Sequence, residues 1–298
     1  MDLWVIITVA AAAVQTLRLL MQKRLKGLGL STGGATFSRF FFNAPLIFGL
    51  LAALVVLGAP LPGWPPLRFW GFVIAGGLGQ IIATFCTVAL FSERSFAVGV
   101  AFTKSETLMV AAFSTLLLAE PVSLPGMIAI GVGTAGVIAL SRPPQGWAGS
   151  GVVNRGVGLG LMAGAFFAIS AVGYRGATLC IASDSALFRA TAALAAVTLF
   201  QSIAMGLWLG WREPGEVARV ARAWKATLPV GVAGLLGSLG WFLAFALMNA
   251  AYVRSLGQVE LIFSLAVSVL VFRERVSLRE LAGMGLLAAG IVGIVTAA

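Results

Sequence analysis

Histidine is absent from the 298 residues, and cysteine and tyrosine occur twice each. Without histidine the chain lacks the usual proton shuttle near neutral pH and the commonest metal ligand. Cys86 and Cys180 lie in or near apolar runs, outside any metal or redox spacing, and read as small buried side chains. Charge is scarce as well: Asp, Glu, Lys and Arg make up 10% of the chain, where soluble domains carry about 25%. No phosphate-cradling glycine loop and no cluster of metal-ligating residues is written in the sequence, so nothing in it points to an enzyme, a metal or a cofactor.

What is present is apolar. The composition is 60% hydrophobic, and the mean hydropathy is +1.02. A soluble globule of this length has too little interior to hide that much apolar surface, which leaves an integral membrane protein. A spanning helix takes about 20 mostly apolar residues. Ten such runs can be read, at 3–21, 36–58, 69–91, 96–119, 122–141, 156–175, 185–210, 227–248, 252–272 and 279–297. They lack the alternation of a membrane barrel, so the spans are helices. The opening stretch MDLWVIITVAAAAV has no basic residues ahead of it and reads as a first span, not a cleavable signal. Two connections are longer: 141–156, rich in Gly and Pro, and 211–225, where Val217, Val220 and Trp224 recur at helical spacing among basic residues. The second is either a short interfacial helix or a solvated basic loop.

The net charge of +10 sits mostly between the runs, which fits membrane topology and argues against nucleic-acid binding. Most Lys and Arg follow odd-numbered runs. Loops after even-numbered runs hold only Arg68, Arg175 and Arg254. The bias places the odd-following loops in the cytoplasm and both termini outside.

The chain also repeats itself. A shift of 154 residues carries Glu106 onto Glu260, Ser114 onto Ser268, Glu120 onto Glu274, and the triplet VSL at 122–124 onto VSL at 276–278. Gly131 and Gly136 land on Gly285 and Gly290. Upstream, AGGLGQ at 75–80 resembles AGLLGS at 233–238. TFSRFFFNAPL at 36–46 resembles SALFRATAALA at 185–195, pairing Arg39 with Arg189. Residues 1–143 and 156–298 thus read as two five-helix halves joined by a linker at 144–155. Because five is odd, the second half enters the membrane inverted, as in many secondary transporters.

The helix-end segments LLLAEPVSLPGMIAIGVGTAGV and VLVFRERVSLRELAGMGLLAAGIVG, with FSRFFFNAPL in the second run, resemble the ten-span EamA-type exporters of the drug/metabolite transporter superfamily. That resemblance implies an all-α protein with two inverted repeats around a central cavity and spans five and ten outside it. It implies an exporter of small metabolites, often amino acids, in the cytoplasmic (inner) membrane, with a small-molecule substrate and the lipid bilayer as its partners; we expect it to act as a monomer. One departure stands out. Many members have Pro just after the position of Glu106, where this chain has Thr107, and Leu261 in the second half. The kink a proline would give must come from elsewhere or be absent.

Ionisable groups inside spans are functional candidates, because a charge at the bilayer centre is costly. Lys104, Glu106, Gln258 and Glu260 lie several residues into spans four and nine at repeat-related positions. Residues two apart on a helix point about 200° from each other, so Lys104 and Glu106 should not meet; Arg254 and Gln258, four apart, share a face. Gln15, Arg18 and Gln22 make a polar stripe on span one, either lining an aqueous path or snorkelling to the surface. Gln80, Tyr174 and Trp241 are further cavity candidates, against the alternatives of packing and interface anchoring. Arg39 and Arg189 are either structural or hold a substrate carboxylate. Glu120 and Glu274 read as helix-end residues at the positive end of a helix dipole. An amino acid would use a cation for its carboxylate and an acceptor for its ammonium, and this group of residues offers both. Burial of Glu106 or Glu260 could supply proton coupling, and gradient-driven facilitated exit is equally open. Efflux of hydrophobic cations, which Lys104 disfavours, and a non-transporting membrane scaffold are the rival readings. The charge bias makes one direct prediction: Asp2→Cys in a cysteine-free background should react with a membrane-impermeant maleimide on intact cells, and labelling only after permeabilisation would reverse the orientation.

Overall fold

A computed structural model describes residues 2–26, 29–59, 63–90, 102–141, 155–263 and 277–298. Regular structure among the described residues is helical throughout. The helices are α1 (Leu3–Lys26), α2 (Thr32–Val56), α3 (Leu67–Leu90), α4 (Glu106–Leu118), α5 (Leu124–Ser141), α6 (Arg155–Leu179), α7 (Ala186–Arg212), α8 (Glu216–Arg222), α9 (Trp224–Leu247), α10 (Ala250–Leu256) and α11 (Leu278–Ala297), with a 3₁₀ turn at Gly257–Val259. Five of these carry segments long and apolar enough to cross a bilayer: Thr32–Val56, Leu67–Thr87, Arg155–Leu179, Ala186–Arg212 and Trp224–Leu247. Shorter apolar stretches fall at Leu3–Arg18, Glu106–Leu118, Leu124–Leu140 and Leu281–Ala297. Most of the 144–155 linker, the C-terminal part of the ninth run and Glu274 lie outside the described residues.

The chain divides into two compact units that cut across the sequence halves. One comprises Met1–Gly77 with Gly173–Leu247, the other Leu78–Val172 with Met248–Ala298. The division falls within α3 and α6.

In the first unit α9 packs against α1, α2 and α7. Glycines on α9 make the close approach possible: a Cβ at Gly231 would lie 2.4 Å from Phe42 Cβ, and one at Gly240 would lie 2.8 Å from Ala11 Cβ. Within AGLLG a Cβ at Gly234 would lie 3.1 Å from Arg39 Cγ and one at Gly237 3.6 Å from Val14 Cγ1, so this motif too serves helix contact. Ser31 caps α2, its Oγ accepting from the Gly34 N–H at 2.9 Å, and Ser185 caps α7, accepting from the Phe188 N–H at 3.2 Å. Ser31 and Ser185 are related by the same 154-residue shift. For these two helices the caps keep that register, which does not pair Arg39 with Arg189: Arg39 lies eight residues past its cap, Arg189 four.

The 211–225 segment divides its residues between the two alternatives. It forms α8, with Val220 and Glu216 buried and Arg219 and Trp224 exposed. Glu216 docks on the start of α2, where Oε1 accepts from the Ser31 N–H at 2.7 Å, and Ser31 Oγ donates to Glu213. A carboxylate there meets free backbone N–H groups and the positive end of the dipole.

In the second unit α5 and α11 lie flat on one another. A Cβ at Gly290 would lie 2.6 Å from Gly133 Cα, and one at Gly136 would lie 2.6 Å from the Leu287 nitrogen. Under the 154-residue shift these two contacts exchange. Both VSL serines immediately precede their helices, Ser123 before Leu124 and Ser277 before Leu278. Ser123 Oγ accepts from the Gly126 N–H at 3.2 Å and lies 3.0 Å from Tyr252 Oη. Glu120 belongs to the turn after α4, with Ala119 in the left-handed conformation at φ 54°, so it is not a first-turn residue of α5. Asn249 Nδ2 donates to its carbonyl at 3.0 Å. The α5–α11 contact predicts that Gly290→Ala destabilises by about 1–3 kcal/mol through overpacking, whereas Gly285→Ala, which meets nothing within 4 Å, is neutral or stabilising. Thermal denaturation of the detergent-solubilised protein distinguishes the two.

Candidate functional site: a charged cleft at two helix breaks

The second unit holds two interrupted helical segments. Residues 102–103 are helical, Lys104 and Ser105 form a turn, and α4 starts at Glu106. In the other half α10 ends at Leu256, the 3₁₀ turn follows, and helical backbone resumes over 260–263. The 154-residue shift carries 103–105 onto 257–259, so the two breaks occupy the same place in the repeat. A mid-helix 3₁₀ stretch marks a hinge or a site, and discontinuous helices are where membrane transporters bind cargo.

The first break forms without the family's proline. Thr107, in the proline's position, donates from Oγ1 to the Lys104 carbonyl at 3.2 Å and lies 3.2 Å from Thr134 Oγ1 on α5. It thus supports a carbonyl freed by the turn. Gly164 on α6 leaves the space, since a Cβ there would lie 2.9 Å from Ser105 Oγ and 3.0 Å from the Thr103 carbonyl oxygen.

A small cleft opens between the breaks, lined by Lys104, Glu106, Thr107, Arg254, Gly257, Gln258 and Glu260. Two ion pairs cross it. Arg254 Nε donates to Glu106 Oε1 at 2.6 Å, and Arg254 Nη2 lies 2.6 Å from the same oxygen. Lys104 Nζ donates to Glu260 Oε1 at 3.2 Å. Lys104 and Glu106 have different partners, as expected, although Lys104 lies in the turn and not on a helix with Glu106. Glu106 lies in the first turn of α4 and Arg254 in the last turn of α10, each at the helix end that favours its charge.

The structure therefore brings together Lys104, Glu106, Gln258 and Glu260. Arg254 completes the set. Counting it among loop residues is corrected, because it lies within α10; its four-residue spacing from Gln258 was the signal. Arg175 likewise lies within α6. Gln15, Arg18, Tyr174 and Trp241 belong to the first unit and do not line this cleft. Trp241 Nε1 donates to Gln15 Oε1 at 3.0 Å, Arg18 is buried, and Gln201 Nε2 donates to Tyr174 Oη at 3.2 Å. Gln80 is in the second unit but not among the lining residues; its carbonyl accepts from Thr84 Oγ1. The Gln22 side chain lies outside the described residues. Arg39 donates to Ser238 Oγ at 3.2 Å, and Arg189 donates to the Ala246 carbonyl at 3.1 Å. Both cysteines are free, with Cys86 buried.

Five helices long and apolar enough to cross a bilayer, with shorter apolar ones beside them, support a multi-pass membrane protein. Residues 154–296 match the model of the EamA-like transporter family. A solved structure titled "Crystal structure of protein" shares the fold at 14% identity, with a TM-score of 0.70, covering 97% of this chain and 95% of its own. No curated protein matches the chain.

Reciprocal ion pairs predict non-additive mutants. Glu106→Gln alone leaves Arg254 without its charge partner and should destabilise by about 3 kcal/mol, while adding Arg254→Met should recover part of that loss. Urea or thermal unfolding of the single and double variants in detergent measures the coupling. Simple additivity would mean that the pair contributes nothing.

Proposed function

We propose that the chain is a secondary transporter exporting small metabolites, amino acids foremost, across the cytoplasmic membrane by alternating access. The observation that carries this reading is the cleft at the two breaks, where two cations and two carboxylates are held in a strongly apolar chain. Ionised groups are retained at such depth when they have a task beyond folding. A zwitterion suits this set: its carboxylate can take over Lys104 or Arg254, and its ammonium can take over Glu106 or Glu260. Each departing partner is replaced by a like charge, so the cleft stays neutral while occupied and while empty. Two cations in the lining speak against a hydrophobic cationic drug as cargo. Ten spans in two inverted halves, external termini and a monomeric unit complete the proposal, drawn from the run count, the charge bias and the repeat.

The test is counterflow in proteoliposomes with radiolabelled amino acids and organic cations, repeated with Lys104→Ala and Glu106→Gln. Loss of a charge-assisted contact should lower exchange by ~10-fold or more. Exchange of cations alone would overturn the amino-acid reading, and unchanged exchange in both variants would remove the site.

A further inference from the structure

Gln258 is the lining residue that the ion pairs leave unexplained. It is 6% exposed, it lines the cleft, and its Oε1 has no hydrogen-bond partner among the described residues. Buried acceptors are nearly always satisfied, and an exception calls for a reason. The repeat sharpens the point. Lys104 occupies the equivalent place in the other half, so one wall of the cleft offers a donor where the other offers an unused acceptor.

We propose that Gln258 is a specificity-determining residue that reads the N–H groups of a primary ammonium on the transported molecule. The inference rests on the transporter reading above and deepens it. A primary ammonium carries three donors in a tetrahedral arrangement. The cleft offers three acceptor groups for them: Gln258 Oε1, the Glu106 carboxylate and the Glu260 carboxylate. The carboxylates respond to positive charge whatever its form. The amide oxygen responds to a hydrogen-bond donor, so it separates a primary ammonium from a quaternary one of equal charge. A site built to hydrogen-bond a group rejects analogues lacking it, because its own polar atom is then left unpaired. The transported class is accordingly a compact zwitterion with a free amino group, and its N-trimethylated counterpart is excluded.

The experiment is competition in proteoliposome counterflow. The probes are L-alanine, L-leucine and L-phenylalanine, each with its N,N,N-trimethyl derivative, on the full-length protein and on Gln258→Glu, Gln258→Leu and Gln258→Met. Monodispersity in detergent checks folding, and the two apolar variants guard against failure of either. In the unmodified protein the trimethyl derivatives should compete ~10-fold or more weakly than the amino acids. Gln258→Glu should keep that preference. Gln258→Leu and Gln258→Met should weaken the amino acids by a similar factor and abolish the preference. Amino-acid exchange with the preference intact in the apolar variants would overturn the role of Gln258 and leave the transporter reading standing. Equal competition by the trimethyl derivatives in the unmodified protein would also overturn it. Absence of exchange with any of the three amino acids would overturn the amino-acid reading itself, and the inference with it.

Discussion

An ionised side chain in an apolar helical chain must find an opposite charge or a convergent set of dipoles, because no water stands ready to solvate it. In the second unit that requirement is met by charge against charge. Arg254 closes on Glu106 and Lys104 on Glu260, each pair joining one half of the repeat to the other. Much of the local architecture can be read from this constraint. The pairs need side chains from two segments to converge at one place, and the breaks at Lys104–Ser105 and Gly257–Val259 lie there. The breaks in turn free backbone groups, and Thr107 supports one of the carbonyls. Gly164 leaves space for the turn itself.

The first unit answers the same requirement with dipoles. Arg175 Nη1 donates to the Phe245 carbonyl at 2.5 Å and Arg189 to the Ala246 carbonyl, both at the C-terminal end of α9. Cations there meet carbonyls that have no helical partner. Glu216 does the converse at the start of α2, with Arg219 of its own helix as a further, exposed partner. These contacts fix helix ends within the unit and consume the charge in doing so. The contrast separates structural from exchangeable charge. A guanidinium on a helix end can be released only by undoing the end, whereas two facing ion pairs can be opened by a molecule that brings one charge of each sign.

Much of this was legible in the sequence because duplication writes the same constraint twice. The apolar runs, the Glu106/Glu260 match and both VSL triplets stand out in the sequence, and among the described residues helices follow the runs except at the breaks in the fourth and ninth. Helical spacing predicted that Lys104 and Glu106 would diverge; they do, although Lys104 sits in the break and not on the helix that Glu106 starts. Other features were not readable in that way. Arg254 looked like a loop cation because it falls close to the start of an apolar run, and α10 begins only just before it, behind the Asn249 cap. Its role depends on a partner 148 residues away, which no local pattern reports. The Arg39–Arg189 pairing failed because similar letters near a helix start do not fix the register, whereas the cap serines do. Gln15, Arg18, Tyr174 and Trp241 were polar or aromatic in spans, and periodicity cannot distinguish a cleft from packing against another helix.

The two breaks show what duplication preserves and what it leaves free. Backbone features recur in register: the interruptions, the serines before α5 and α11, and the exchanged Gly136–Leu287 and Gly133–Gly290 contacts. These are set by sterics and by hydrogen bonds that both halves must satisfy. The side chains at the breaks do not recur, since Lys104 faces the place of Gln258 and Arg254 corresponds to Val100. A symmetric pair of Glu residues alone would be two like charges in one apolar cleft, a poor arrangement on energetic grounds. Adding one cation to each half, at different positions, neutralises both carboxylates and removes the symmetry in the same step. The residue left over by that rearrangement is Gln258, whose amide oxygen has no partner among the described residues, so the lopsidedness needed for charge balance also gives the cleft two chemically distinct ends.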